Sequence, residues 1–244
     1  MQVRDAAGGA TSAVDAEPAT ARRLDRTNRV AAGSFVIGGS LFSLGALFAQ
    51  LGIGTARTAD VVYLVGGVFF TLGGYASVVQ AVNAPTDVDE HGALSSSRWR
   101  WWAFQPGHIG WLSAAVLFGG TLLFGVSLVA AFAENLTVRQ SDGYIWFPDI
   151  LGCVCFLLSG HLALLEVCHG RIGILTRDLG WWIVAVNQVG SVLFFLAGLA
   201  AFTRPATSDV ISIGVVNWGT FLGALCFVVG GVLQAFERPA QGSP

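Results

Sequence analysis

Six long blocks of apolar residues are the feature that most restricts how this chain can fold. They span Val30–Ile53, Val61–Asn83, Ile109–Ala133, Ile145–Val167, Gly180–Thr203 and Ile211–Phe236. The hydrocarbon core of a bilayer is about 30 Å thick and takes about 20 residues of helix, so each block is long enough to cross it. Outer-membrane strands would show segments of about 10 residues in strict alternation, whereas these blocks are continuous. The sequence therefore predicts an all-α membrane protein with six transmembrane helices.

Composition narrows the class of protein further. The chain is 54% hydrophobic and 11% charged, whereas charged residues make up about 25% of a typical soluble domain. Its formal net charge of −2 provides no basic surface for nucleic acid. The 32 glycines would weaken soluble helices, but small residues let membrane helices pack closely. Soluble enzymes and nucleic-acid-binding proteins are therefore disfavoured, and a tightly packed bundle is expected.

The distribution of arginine predicts the orientation of the chain. All 13 basic residues are arginine, and if the N-terminus is cytoplasmic, ten lie on that side and only Arg57, Arg139 and Arg204 lie outside. Basic residues concentrate in the cytoplasmic loops of multispanning proteins, so both termini are expected in the cytoplasm. Abundant alanine, glycine and arginine without lysine is typical of GC-rich bacteria, which points to a bacterial plasma membrane.

The ends of the chain lack the apolar character of its centre. Residues 1–29 mix alanine, aspartate, threonine and arginine with no apolar core, which predicts a disordered cytoplasmic tail. The six-helix domain is expected over residues 30–238, followed by a second short tail over residues 239–244.

An internal repeat relates the apolar blocks to one another. When Gly110–Phe132 is aligned with Gly180–Phe202, ten of 23 positions are identical. The helices that follow align at an offset of 71, which pairs Gly152 with Gly223 and Glu166 with Glu237. The first two blocks match more weakly, with Gly39 placed against Gly190 and Gln80 against Glu237. The repeating unit is therefore a two-helix hairpin used three times.

The repeat predicts how the helices are arranged. Each hairpin, over residues 30–83, 109–167 and 180–236, would start and end on the cytoplasmic side, so the copies are parallel repeats about an axis along the membrane normal. This arrangement has pseudo-threefold symmetry. In the second helix of each hairpin, small residues recur seven apart, or two turns, at Gly66/Gly73, Gly152/Ser159 and Gly223/Gly230. These stripes are expected to form the packed inner face.

Two short motifs carry a resemblance to a known family. They are Gly190–Phe194, with the sequence GSVLF, and Asn217–Phe227, with the sequence NWGTFLGALCF. Together they resemble the YrhK-like domain of bacterial membrane proteins, most closely in the third hairpin and more loosely in the first. The resemblance implies a helical-hairpin membrane protein, and it implies no catalytic residue.

Polar residues within the apolar blocks are the candidate functional residues, because burying them in hydrocarbon is costly. They are Gln80, His161, Glu166, Asn187, Gln188, Asn217 and Glu237. The three amides of the last two helices could coordinate a small solute or ion, or could hold helices together through hydrogen bonds. Gln80, Glu166 and Glu237 occupy equivalent repeat positions and could form a ring at the cytoplasmic mouth, or cap the helices at the interface.

Cofactor and metal sites are not expected. His161 and His169 are eight residues apart, about 12 Å along a helix, which is too far to share one metal ion, so His161 is expected to hydrogen-bond a neighbouring helix. Cys153 and Cys155 point to different sides of a helix and form no redox or zinc motif. Asp149 follows Pro148 at the start of a block, where proline and a carboxylate are typical of helix capping.

A segment rich in arginine and tryptophan precedes the third block, at residues 97–104. It contains Arg98, Trp99, Arg100, Trp101 and Trp102. Arginine binds anionic headgroups and indole rings settle at the membrane interface, so the segment is predicted to lie on the membrane as an anchor or, alternatively, as a lipid-binding or partner-binding element.

These patterns favour a non-enzymatic structural or accessory component of the membrane. The alternative is a channel or transporter for a small solute or ion, with its pathway along the pseudosymmetry axis. An intramembrane enzyme ranks third, because the sequence offers no pairing of a nucleophile with a base. The expected partners are membrane lipids, a second copy of the chain or another membrane protein, and not nucleic acid.

The predicted orientation can be tested by cysteine labelling. Single cysteines at Thr137 and Ser208, in a background without the four native cysteines, should react in intact cells with an impermeant thiol reagent, because both positions are predicted to lie outside. A cysteine at Ser96 should stay unlabelled until the cells are lysed. Labelling of the Ser96→Cys variant in intact cells would contradict the orientation.

Overall fold

The computed structural model describes residues 18–84, 99–168, 170 and 173–237. Over these residues the helices are α1 (Pro18–Leu51), α2 (Ala56–Val82), α3 (Ile109–Ala130), α4 (Val138–Ser141), α5 (Phe147–Val167), α6 (Leu179–Ala200) and α7 (Ile213–Phe236). A π-helical turn, Asp142–Trp146, joins α4 to α5, so that Val138–Val167 forms one span. Six helices in the described part of the chain are thus long and apolar enough to cross a membrane, which confirms the predicted number.

Short polar residues start several of these helices. Thr55, Thr137, Asp178 and Ser212 each accept a backbone N–H of the first turn through the side chain, which satisfies donors that the helix leaves unpaired. Between α1 and α2 the chain reverses within four residues, and Gly52 and Gly54 adopt φ angles of +66° and +78° there. Only glycine takes up this conformation without strain, so the tight turn depends on both.

The first helix begins earlier than predicted. Residues 18–29, assigned from the sequence to a disordered tail, continue α1 without a break. Two residues explain the difference, because Leu24 and Asn28 are each only 1% exposed. Asn28 Nδ2 donates to the carbonyl oxygen of Gln234 at 2.9 Å, and Gln234 Nε2 donates to Asn28 Oδ1 at 3.0 Å. Residues 1–17 and 239–244 of the predicted tails lie outside the described residues.

The membrane span that contains α5 also begins earlier than the apolar pattern suggested. The helical run starts at Val138 and not at Ile145. Asp149 lies in the first turn of α5 after Pro148, as predicted. The π-helical turn continues the helix upstream of it, so its carboxylate caps no free helix end. The cap belongs to Thr137, which exchanges side-chain hydrogen bonds with Gln140.

The membrane helices form a closed ring. α1 packs along α2, α3 along α5 and α6 along α7; α2 also contacts α3, α5 contacts α6, and α7 closes the ring against α1. The C-terminal ends of α2, α5 and α7 meet the N-terminal ends of α1, α3 and α6 around a single cavity. Consecutive spans therefore run in opposite directions, and we call this side of the bundle the terminal end.

Every membrane helix carries a glycine followed four residues later by a phenylalanine. The six pairs are Gly38/Phe42, Gly66/Phe70, Gly120/Phe124, Gly152/Phe156, Gly190/Phe194 and Gly223/Phe227. Within each packed pair of helices the contact is reciprocal, since each phenylalanine ring covers the glycine of the partner helix. A Cβ on Gly190 would lie 2.9 Å from the carbonyl oxygen of Gly223, so the backbones touch where the glycines face each other.

The six phenylalanines fill the centre of the ring. Phe42, Phe124 and Phe194 form a triangle with centroids 6.0 to 6.3 Å apart. Each of these rings contacts a phenylalanine of its partner helix, with centroids 5.2 to 5.6 Å apart. These three partners, Phe70, Phe156 and Phe227, form a second layer toward the terminal end. The axis is thereby closed by aromatic rings, and we call this group the phenylalanine cluster.

The contacts correct one detail of the predicted repeat. Gly38 approaches Gly66 and Phe70 as Gly190 approaches Gly223 and Phe227. Gly39, which the sequence alignment matched to Gly190, instead contacts Ala224 and Val228 of α7. The alignment of the first helix was therefore wrong by one residue. It matched Gly39 and Ser40 to Gly190 and Ser191, whereas the spacing of Gly38 and Phe42 is the one that the packing uses.

Substitution of the glycines should separate packing from helix propensity. Gly190→Ala should lower the free energy of unfolding by about 1–3 kcal/mol, because the added methyl forces α6 away from α7. Gly119→Ala is the matched control, since a Cβ at Gly119 meets no atom within 4 Å. Thermal unfolding in detergent should show a lower midpoint for the first variant only; equal midpoints would contradict the proposed backbone contact.

Candidate functional site

A cavity of about 330 Å³ opens at the terminal end of the bundle. Its apolar walls include Phe35, Phe156 and Phe227, so the phenylalanine cluster forms its floor. Its polar wall residues are Ser77, Gln80, Ser113, Ser159, Glu166, Asn187, Ser191, Gln234 and Glu237. Four of the predicted candidates, Gln80, Glu166, Asn187 and Glu237, are therefore brought together around one space, which we call the polar cavity.

The two carboxylates of the polar cavity also lie beside helix starts. Glu166 lies against Gly110 in the first turn of α3, and a Cβ on Gly110 would overlap its carboxylate. Glu237 takes the equivalent place beside Gly180 in the first turn of α6. The N-terminal end of a helix carries partial positive charge. Both carboxylates therefore line the cavity and lie near the positive end of a neighbouring helix, while the side chain that caps α6 is Asp178.

Glu237 follows the last residue of α7 and lies close to other acids. Burial raises the pKa of its carboxyl group, and the nearby carboxylates of Asp178 and Glu166 raise this pKa further. Among the described residues, none of those that line the polar cavity is basic. The cavity is therefore electronegative when its carboxylates are ionised, which favours cations and disfavours anions.

Two amides of α6 have side-chain oxygens without hydrogen-bond partners among the described residues. Asn187 Oδ1 is buried in the wall of the polar cavity, against Gly230 of α7. Gln188 Oε1 is buried against Gly160 of α5, while its Nε2 donates to the carbonyl oxygen of Leu157 at 3.3 Å. Gln188 thus joins α6 to α5, as expected of an interhelical amide, and lies outside the cavity lining.

The remaining candidates lie away from the cavity. Asn217 Nδ2 donates to Gln50 Oε1 at 3.1 Å and joins α7 to α1 near the opposite end of the bundle. His161 is exposed on the outer surface of α5, and the expected hydrogen bond to a neighbouring helix is not formed within the described residues. Gly160 faces Gln188 of α6. Because successive residues of a helix point about 100° apart, the next residue, His161, points away from α6.

Sequence reasoning missed several polar residues of the cavity wall. Ser113 Oγ donates to the carbonyl oxygen of Ser159 at 2.9 Å, and Ser159 Oγ can donate to that of Ser113 at the same distance. Gln234 was missed as well, and its hydrogen-bond partner Asn28 is more than 200 residues away in the sequence. Single serines are common in membrane helices, so only the match of Ser159 to the small-residue stripe could have drawn attention to this pair.

The arginine and tryptophan segment is described from residue 99 onward, so Arg98 lies outside the described residues. Asn83 holds it to the end of α2, because Asn83 Oδ1 accepts the backbone N–H of Arg100 at 2.9 Å. The Trp99 ring faces Arg23, whose Cζ is 5.8 Å from the ring centroid. Trp101 and Trp102 are 68% and 55% exposed. Both indoles are therefore free to enter a membrane interface beside the terminal end.

Comparison with known proteins does not add an assignment to this geometry. No protein-family model, curated protein or solved structure matches the chain.

The raised pKa of Glu237 predicts how stability depends on pH. The folded state holds this proton more tightly than the unfolded chain, whose glutamate pKa is about 4.3. The contribution of Glu237 to stability is therefore complete below that value and is lost as the pH rises through the folded pKa. Glu237→Gln should raise the unfolding midpoint at pH 8 and leave it unchanged at pH 4.

The comparison variant for this experiment is Glu134→Gln, because Glu134 is exposed and paired with Arg57 at 3.0 Å. Its unfolding midpoint should not rise at pH 8. A Glu237→Gln variant that is equally or less stable than the parent at pH 8 would show that the carboxylate is favourably solvated.

Proposed function

We propose that this chain is a non-enzymatic structural or accessory component of a bacterial plasma membrane. The observation that carries the proposal is the phenylalanine cluster, which closes the axis with stacked and edge-on rings. A bundle whose centre is filled in this way provides a stable frame and no water-filled path. The exposed apolar side chains of each helix, such as Val68, Val126 and Leu158, suit contact with lipid tails.

We propose three tandem hairpins with pseudo-threefold symmetry as the architecture. The recurrence of glycine and phenylalanine four residues apart in all six membrane helices supports it. Further support comes from the near-equal centroid distances of 6.0 to 6.3 Å among Phe42, Phe124 and Phe194. Membership of a YrhK-like family, with both termini in the cytoplasm, belongs to the same proposal and rests on the sequence motifs and the arginine count.

The exposed surfaces support lipids as the first partners. Trp101 and Trp102 extend from the end of the bundle that holds most of the described arginines. Interfacial tryptophan beside arginine suits anionic headgroups. A second copy of the chain or another membrane protein is the further partner class of an accessory component.

A channel or transporter is the second candidate. A cavity of about 310 Å³ at the opposite end faces the polar cavity across the phenylalanine cluster. Between them lies an apolar void of about 10 Å³, lined by five of the six phenylalanines, and a void of that size and character stays dry. Hydrophobic constrictions gate some channels by excluding water, so a displaced ring would connect the two cavities.

Reconstitution distinguishes the two candidates. The purified chain in liposomes should give no cation flux above empty liposomes, measured with an enclosed potassium-sensitive dye, because the phenylalanine cluster excludes water. Robust flux in the parent protein that disappears in the Glu166→Gln, Glu237→Gln double variant would overturn the structural proposal and favour a channel. The double variant must elute from size exclusion as the parent does, so that the loss reports on the carboxylates.

A further inference from the structure

The cavity at the opposite end of the bundle has a different chemistry from the polar cavity. Its aromatic lining residues are Phe42, Tyr63, Phe124, Trp146 and Phe194. Four further lining residues carry hydroxyl groups, namely Ser127, Ser141, Thr203 and Thr220. Among the residues that line it, Asp149 is the one with a charge. We call this space, of about 310 Å³, the aromatic cavity.

The carboxylate of Asp149 lies at the edge of the aromatic cavity, away from the ion pairs at this end of the bundle. Protein surrounds the side chain, yet part of its surface stays accessible because it lines the aromatic cavity. No hydrogen bond or ion pair joins it to another residue in the described part of the chain. Three described arginines lie at this end: Arg57 pairs with Glu134, Arg204 donates to the carbonyl oxygens of Val210 and Ile211, and no ion pair joins Arg139 of α4 to Asp149.

The neighbouring backbone is built to leave room at this carboxylate. Gly198 of α6 faces it, and a Cβ there would lie 3.2 Å from Asp149 Oδ2. Trp146 Nε1 donates to the carbonyl oxygen of the same glycine at 2.8 Å, which fixes the indole beside the cavity. Trp146 is the last residue of the π-helical turn. Such turns within helices are frequent at functional sites.

This combination of groups selects one class of ligand. An unpaired carboxylate within a membrane span is costly, and a cation offsets that cost. Metal ions such as Ca²⁺ need six or more oxygen ligands, whereas this cavity is walled mainly by rings and aliphatic carbon. Aromatic faces attract organic cations through their negative potential while packing against the attached carbon groups.

We propose that the aromatic cavity binds a small organic cation, an alkyl- or aryl-ammonium ion, with Asp149 as its counter-charge. Phe42, Phe124 and Phe194 form the floor beneath the ligand, and Tyr63 and Trp146 form its walls. A volume of about 310 Å³ is at the lower end of the range of small-molecule sites. The site exists whether or not the phenylalanine cluster ever opens, so it does not rest on the structural or the transport function.

The experiment measures equilibrium binding of benzyltrimethylammonium to the full chain in nanodiscs of zwitterionic lipid. This ligand keeps its charge at every pH and is small enough for the cavity. We expect saturable binding of one molecule per chain, and at least about tenfold weaker binding to Asp149→Asn, because the substitution removes the counter-charge and keeps the shape. Neopentylbenzene, the neutral carbon isostere, should bind weakly to both.

Glu166→Gln is the matched control, since it removes a carboxylate from the polar cavity and should leave the affinity unchanged. Tyr63→Leu provides a second variant in case Asp149→Asn does not fold, with an expected loss of about two- to fivefold from the missing ring face. Absence of saturable binding to the parent protein would overturn the proposal. So would parent-like affinity in both the Asp149→Asn and the Tyr63→Leu variants, or loss of binding in the Glu166→Gln variant.

Discussion

In a bilayer the hydrophobic effect cannot hold one helix against the next, so this bundle depends on contact between a glycine of one helix and a phenylalanine of its neighbour. Lipid tails are as apolar as leucine, and close packing must supply the attraction. The glycines let the backbones meet, as between Gly190 and Gly223. The rings then occupy the space above the facing glycine, and the six together fill the centre. Removing either partner would leave a void or force the helices apart.

The same cluster decides where polar groups can be placed. Because six rings occupy the middle of the axis, the carboxylates that line a cavity lie at the two ends, and Thr121 is the one polar side chain that lines the central void among the described residues. At the terminal end Glu166 and Glu237 lie beside helix N-termini. At the other end Asp149 lies in an aromatic setting, with no hydrogen-bond or ion-pair partner among the described residues. The two cavities have similar volumes but different chemistry. The apolar void between them is too small and too apolar to hold water, so the two cavities do not share one aqueous space.

Local patterns predicted some of the site and missed the rest for identifiable reasons. Gln80, Glu166 and Glu237 were found because they recur at equivalent repeat positions, and all three line the polar cavity. Asp149 was assigned a capping role because the apolar block begins near it, although Thr137 and Gln140 have the spacing of a capping box and begin the helical run earlier. Leu24 and Asn28 were placed in a disordered tail because their partners, including Gln234, lie more than 200 residues away. His161 was expected inside because residue type does not reveal which face of a helix meets lipid.

The sequence by itself determined that this chain forms six apolar helices. Each block is long and continuous, and a helix satisfies all the backbone hydrogen bonds of such a block within the bilayer. The sequence also determined a repeating pattern of glycine and phenylalanine along those helices. Only the tertiary structure decided that Gly38 and not Gly39 meets Gly66, that the rings converge on one axis, and that Asp149 faces a cavity. These outcomes depend on the rotation and register of whole helices, which are set by contacts between residues far apart in the chain.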